Sequence, residues 1–271
     1  MKILAYHNIT NPEQFENQID YLKNNYDIIN LDSLKNHIFS NDPLPENPLL
    51  ISFDDGDFSI YKNAFPVLKK HHVPAVVFVI TGLINTYKPF WWDEIIYHLG
   101  PVEGEKKVWE VKNWPNSKRK EFLEQLRIDS KKSTFVHRQL SSEQLFELKE
   151  HDIAIANHSF SHPMLNQCSE EALREEIYNS FQFLKENQFE PEVFAYPNGN
   201  FSEKVEETLK SEGIKMAFLF DHKINSKKIN PLRISRLIVD DITPLWKFKF
   251  ILSGYHTKIL PITKKIGKFL K

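Results

Sequence analysis

The chain has 271 residues, 41% apolar and 26% charged, the composition of a soluble globular protein of one large domain or two small ones. Lys plus Arg (35) and Asp plus Glu (36) nearly cancel, which excludes a nucleic-acid polycation and an acidic-tail protein. The single cysteine, Cys168, excludes an internal disulfide framework and every multi-cysteine zinc site.

Ile3–Tyr6 is a short apolar run and predicts a first strand, closed by His7 and Asn8. It is too short for a secretion-signal core, so a cytoplasmic protein is expected. Pro12 to Tyr26 carries Phe15, Ile19 and Leu22 at helical spacing. Asn30 or Asp32 caps a second helix through Ile38, and the proline-rich stretch Asn41–Pro48 is a loop. Leu49-Leu50-Ile51-Ser52-Phe53 is a buried-strand pattern that stops at Asp54-Asp55-Gly56. A helix over Ile60–His71 follows, then a valine-rich strand over Pro74–Ile80. Strand, helix, strand within about thirty residues is a parallel βαβ unit. The longest apolar run, Val73–Ile80, is about half of what a membrane span needs.

Residues 100–140 break this rhythm. They are rich in lysine, contain Trp109 and Trp114, and read as a mostly helical insertion. The alternation then resumes with a helix over Ser142–Glu150 and a strand over Ile153–Ala156, whose polar end is His158-Ser159-Phe160-Ser161-His162. A helix over Ser169–Glu186, a strand over Val193–Tyr196, a helix over Phe201–Ser211 and strands over Met216–Phe220 and Ile234–Val239 complete the pattern. From Leu245 to Lys271 lysines interleave with aromatic residues and no acid occurs. This segment has two readings: a terminal helix packed on the domain with a solvated lysine face, or a peripheral contact with an anionic inner-membrane surface. The eight glycines build no dinucleotide, P-loop or nucleophile-elbow signature.

Strands alternating with helices imply an α/β protein with a parallel sheet, open or closed into a barrel. Polar clusters follow four strands: His7, Asp54-Asp55, His158…His162 and Asn198-Gly199. In such sheets the C-terminal strand ends carry the active site, so the four should converge. His158 and His162, four apart, reach a single ion from a helical turn or a tight loop. Two imidazoles leave a divalent metal under-ligated, and a carboxylate from another strand end is the expected third ligand. Asp54 and Asp55 offer two, of which one binds metal while the other stays free as a base. Such an ion leaves room for water and substrate, as a metal hydrolase requires. The competing role for either aspartate is a helix N-cap.

These residues resemble the polysaccharide deacetylases, carbohydrate esterase family 4. Ser52-Phe53-Asp54-Asp55-Gly56 is similar to the family's first motif and His158-Ser159-Phe160-Ser161-His162 to its second. Ala195-Tyr196-Pro197-Asn198-Gly199 is similar to its third, and Ala5-Tyr6-His7-Asn8-Ile9 to the opening of the poly-N-acetylglucosamine deacetylase branch. The resemblance covers residues 1–240 without 100–140. It implies a distorted (β/α) barrel of about seven parallel strands in a single domain, with a helical insertion and a C-terminal helix. It further implies that Asp55, His158 and His162 bind a divalent metal, zinc first, with cobalt or nickel as alternatives. Asp54 would be the general base, the Asn198 backbone N–H an oxyanion donor, and His7 the acid for the leaving amine, with His222 as the substitute. Tyr196, Pro197, Trp91, Trp92 and Arg233 would contact the carbohydrate. The third motif usually carries Arg where Ala195 stands, so Arg233 or Arg236 is expected to pair with the catalytic aspartate instead. The implied reaction is removal of N-acetyl from an amino sugar in a polysaccharide or glycan precursor. The alternatives are deacetylation or deformylation of a lipid-linked or nucleotide-linked sugar at the inner membrane face, and a carbohydrate-binding relic without turnover.

Overall fold

The computed structural model describes residues 1–226 and 228–255. In chain order its elements are β1 (Lys2–Tyr6), α1 (Pro12–Asn25), β2 (Asp27–Ile28), α2 (Leu31–Ser40), β3 (Pro48–Phe53), α3 (Phe65–His71), β4 (Ala75–Val79), α4 (Trp91–Leu99), α5 (Pro101–Val111), α6 (Asn116–Asp129), α7 (Ser142–Glu150), β5 (Ile153–Asn157), α8 (Glu170–Glu186), β6 (Glu190–Ala195), α9 (Glu203–Ser211), β7 (Met216–Phe218), β8 (Leu237–Ile238) and α10 (Leu245–Leu252). Side-chain caps start several helices. Asn11 accepts from the Gln14 N–H and Asn30 from the Ser33 N–H, and Ser141 forms a reciprocal capping box with Gln144. The helix expected over Ile60–His71 begins instead with a π-helical turn over Ile60–Ala64. Pro66, which has no N–H to give to the preceding turn, sits where the two pieces join.

All strands are parallel, in the order β7-β6-β5-β4-β3-β1-β8, with β2 pairing β3 off this path. The sheet curls into the expected distorted barrel. Its two ends are tied by one stretch of chain: Ile234 bridges Phe218 of β7, and Leu237–Ile238 pairs with Leu4–Ala5 of β1. The regular strand expected over Ile234–Val239 is therefore broken, because the segment changes partners midway. Arg236 lies at the break, where its Nε donates to the Leu219 carbonyl at 2.8 Å.

Side chains alternate across the sheet with a period of two. Ile3, Leu50, Val76, Phe78, Ala156, Val193, Ala195 and Phe218 share one cluster inside the barrel, which α2 closes with Leu31 and Leu34. Leu4, Tyr6, Ile51, Phe53, Val77 and Val79 face outward against α1, α3 and α7. The insertion packs onto α4: Val108, Val111 and Leu123 form a small core with Trp91, Ile95 and Met164. Helix α10 buries Phe248, Ile251 and Leu252, with Phe248 against Tyr21 of α1, so this half of the basic segment is a packed terminal helix. Nothing in its packing supports the membrane contact, and residues 256–271 lie outside the described residues. Among the described residues no helix is long and apolar enough to cross a membrane.

Candidate active site

The same alternation aims the polar strand ends. His7, Asp54 and His158 stand an even number of residues beyond Ile3, Leu50 and Ala156, so each continues an inward-facing row past the C-terminal end of its strand. The ladder runs on into the site: the Asp54 N–H donates to the Tyr6 carbonyl at 2.8 Å, and the His158 N–H to the Val79 carbonyl at 3.0 Å. Asp55 and Gly56 then both adopt left-handed backbone, at φ 68 and 69. That turn separates the two aspartates. A Cβ on Gly56 would also come within 3.0 Å of Val79 Cγ1, so the turn demands glycine.

Asp55 faces the two imidazoles. Its Oδ1 lies 3.4 Å from Nε2 of both His158 and His162, and all three side chains are nearly closed to solvent. His158 Nδ1 sits 2.9 Å from the Ala195 carbonyl, which can only accept, so Nδ1 carries the proton and Nε2 keeps its lone pair. Asp55 Oδ1 is buried without a hydrogen-bond partner. One carboxylate oxygen and two imidazole nitrogens, all within 4.8 Å of one another, fit a divalent cation. Burial opposes ionisation of Asp55, but the three imidazoles around it outweigh burial and hold the carboxyl far below its usual range. Burial also opposes charge on His158, yet Asp54 and Asp55 raise its pKa, whereas burial pulls His162 down to about 3 and keeps it neutral.

The loop carrying His162 is pinned from several sides. Ser159, at φ 67, receives the His162 N–H on its Oγ at 3.0 Å, and the Ser161 backbone and hydroxyl both donate to Glu176. Trp91 Nε1 donates to the His162 carbonyl at 3.0 Å, while the Trp92 ring packs edge-on against the imidazole at 4.8 Å between centroids.

Asp54 faces away from Asp55 toward Arg236. Nη1 and Nη2 of Arg236 lie 2.6 and 2.7 Å from its two oxygens. Burial alone would raise the Asp54 pKa, but the guanidinium and His158 lower it on balance, so the carboxylate stays ionised. Of the two candidate arginines, Arg236 and not Arg233 is therefore the cation paired with Asp54.

A cavity of about 600 Å³ joins Asp54, Asp55, His158 and His162 to His7 and Asn198. His7 packs edge-on against Phe220 at 5.1 Å. Phe220 can come this close because Gly199 has no side chain: a Cβ there would lie 2.6 Å from Phe220 Cβ. Asn198 has left-handed backbone at φ 54, and its Nδ2 is buried without a partner.

Several expected contacts fall elsewhere. Tyr196 follows inward-facing Ala195, so it points outward into the α8–α9 core, with its hydroxyl on the Leu232 carbonyl at 3.2 Å. Pro197 is buried at the start of a 3-10 turn and does not line the cavity. Arg233 pairs with Glu206 at 2.7 Å over the Phe201 ring, outside the cavity. Trp91 is 6% exposed and lines a neighbouring cavity of about 820 Å³, which meets the first at Trp92 and His162. His222 Nδ1 accepts the Ile238 N–H at 3.0 Å and so supports β8. The insertion is helical as expected, but the sequence did not place it at the site: Glu105, Trp109 and Lys112 reach the cavity. Their helical spacing puts them on one face, but nothing in the sequence says what that face meets.

The family model for polysaccharide deacetylases matches residues 41–217. A poly-beta-1,6-N-acetyl-D-glucosamine N-deacetylase of Staphylococcus aureus strain MSSA476 is 27% identical over 256 residues, 90% of this chain and 72% of the relative. Among solved structures, the deacetylase PplD of Streptococcus pyogenes, in complex with acetate, superposes with a TM-score of 0.65 at 20% identity, over 88% of this chain and 92% of that one. IcaB of Ammonifex degensii superposes with a TM-score of 0.64 at 22% identity, over 88% and 91%. These two likenesses are likenesses of fold.

Proposed function

The chain belongs to the polysaccharide deacetylase family, and we propose that it hydrolyses the N-acetyl groups of a poly-β-1,6-N-acetylglucosamine type of glycan. The observation that carries this reading is the convergence of Asp54, Asp55, His158, His162 and His7 on one cavity from three separate strands. The curated relative's substrate supports the choice of polymer.

In this reading Asp55, His158 and His162 would hold a divalent ion, zinc first, although imidazole with carboxylate also suits cobalt and nickel. When bound, the ion acts as a Lewis acid toward the amide carbonyl and acidifies water. Asp54 removes a proton from the attacking water. Its two oxygens each accept one hydrogen bond from Arg236, and a carboxylate has capacity for about four, which leaves room for that water. Arg236 keeps Asp54 ionised and fixes its orientation. The Asn198 backbone N–H, turned by the left-handed residue beside Gly199, donates to the oxygen that gains charge. His7, steadied by Phe220, delivers a proton to the departing amine nitrogen. Trp92, between His162 and the cavity, offers a ring surface to the sugar.

A binding relic would not need a base, an acid and a buried donor set around one cavity, and the relative named above acts on a polymer, not on a lipid-linked precursor. The test is acetate release from a β-1,6-linked N-acetylglucosamine oligomer, with and without a chelator. Chelator-sensitive acetate is expected. Absence of acetate from the metal-loaded protein would remove the proposed activity.

A further inference from the structure

Helix α5 presents Glu105, Val108 and Trp109, together with its C-cap residue Lys112, to the catalytic cavity. They stand at i, i+3, i+4 and i+7, so they form a single face of the helix. That face runs about 10 Å along the axis, longer than one sugar ring, so the wall reaches past the unit whose acetyl group meets the metal ligands. Val108 and Val111 of the same helix are buried, but Trp109 leaves 70% of its surface in solvent. Lys112 places its ammonium 4.8 Å over the indole centroid and so restrains the ring's tilt.

We propose that Trp109 is the platform for the sugar unit adjoining the one being deacetylated, and that Lys112 is its positioning residue. A pyranose offers an apolar face of C–H bonds that matches the negative face of an indole. Glu105 and Lys112, on either side of Trp109 along the helix, offer polar partners to the ring's hydroxyls, the usual division of labour in a ligand pocket. The insertion thereby gives the site selectivity for polymer over short fragments. This inference rests on the proposed glycan substrate.

The probes are the methyl glycoside of N-acetylglucosamine, a single unit, and the β-1,6-linked hexamer. Binding is measured by calorimetry on zinc-loaded protein carrying Asp54→Asn, so that the ligand is not consumed, and kcat and KM are measured on the otherwise unaltered enzyme. Trp109→Ala should weaken hexamer binding and raise hexamer KM about tenfold, with a much smaller effect on the single unit and on kcat. Trp109→Phe should restore most of the loss, and Lys112→Met should fall between. Unchanged hexamer binding in Trp109→Ala, or equal losses for the single unit and the hexamer, would overturn the platform. Trp109-dependent hexamer binding without acetate release would uphold the platform and remove the proposed activity. Absence of hexamer binding to the parent protein would overturn the platform as well.

Discussion

Arg236 and Asp54 form a bidentate ion pair, 2.6 and 2.7 Å, with neither side chain more than 3% exposed. The pair spans the barrel from the closing segment to the end of β3. Its partners are separated by 182 residues of chain, so it forms only when the sheet has closed.

Arg236→Met should therefore cost about 3–5 kcal/mol of stability, because it leaves a buried carboxylate without its counter-ion. Denaturant unfolding of variant and parent measures this. Arg236→Lys should recover little, since one ammonium cannot make two parallel bonds and also reach the Leu219 carbonyl. The pH dependence has a definite sign. Asp54's pKa is lower folded than unfolded, so the pair's contribution is complete above the ordinary carboxylate value, about 3.9. It is lost as pH falls through the lower folded value, and parent and Arg236→Met should converge in stability on acidification.

A ligand that binds only the folded protein stabilises it, by about 2.7 kcal/mol at a hundredfold excess over Kd. Zinc should raise the melting temperature of the parent and a chelator should lower it. Asp55→Ala, His158→Ala and His162→Ala should each remove most of that shift. A zinc response that survives all three would place the ion elsewhere.

Trp91 supports the proposed metal ligand His162 from behind. Trp91→Phe removes the indole N–H that bonds the His162 carbonyl, at a cost of about 0.5–1.5 kcal/mol. The looser loop should weaken zinc binding by roughly tenfold, as disturbed outer partners of metal ligands commonly do. Competition against a chromophoric chelator reads this directly.

Cys168 should be slow to react. Burial, with Glu176 next in effect, pushes its thiol up to about 11, so little thiolate exists near neutrality. Alkylation of the folded protein at pH 7.5 should lag far behind that of the unfolded chain, as followed by mass spectrometry.

Much of this was legible in the sequence, for a physical reason. Strand ends are marked by where apolar runs stop, and parallel strands put all those stops on one side. His7, Asp54, Asp55, His158 and His162 could thus be placed together from the one-dimensional pattern. Tyr196 shows what that pattern should have corrected: the period of two that turns Ala195 inward turns Tyr196 outward. The choice between Arg233 and Arg236 could not be read. It depends on a segment that pairs β7 at Ile234 and β1 at Leu237, a switch set by barrel closure and not by local preference. Trp109 was hidden for a different reason. An exposed tryptophan in a charged helix gives no sequence signal of what it faces.

In the proposed reaction Asp54 acts on the attacking water while Asp55 and the two imidazoles hold the metal. Asp54→Asn tests it most directly, with bound zinc and acetate release measured on the same preparation. One zinc per chain, as in the parent, is expected, with acetate release reduced by about a hundredfold or more. Activity within a few-fold of the parent at full zinc occupancy would contradict it.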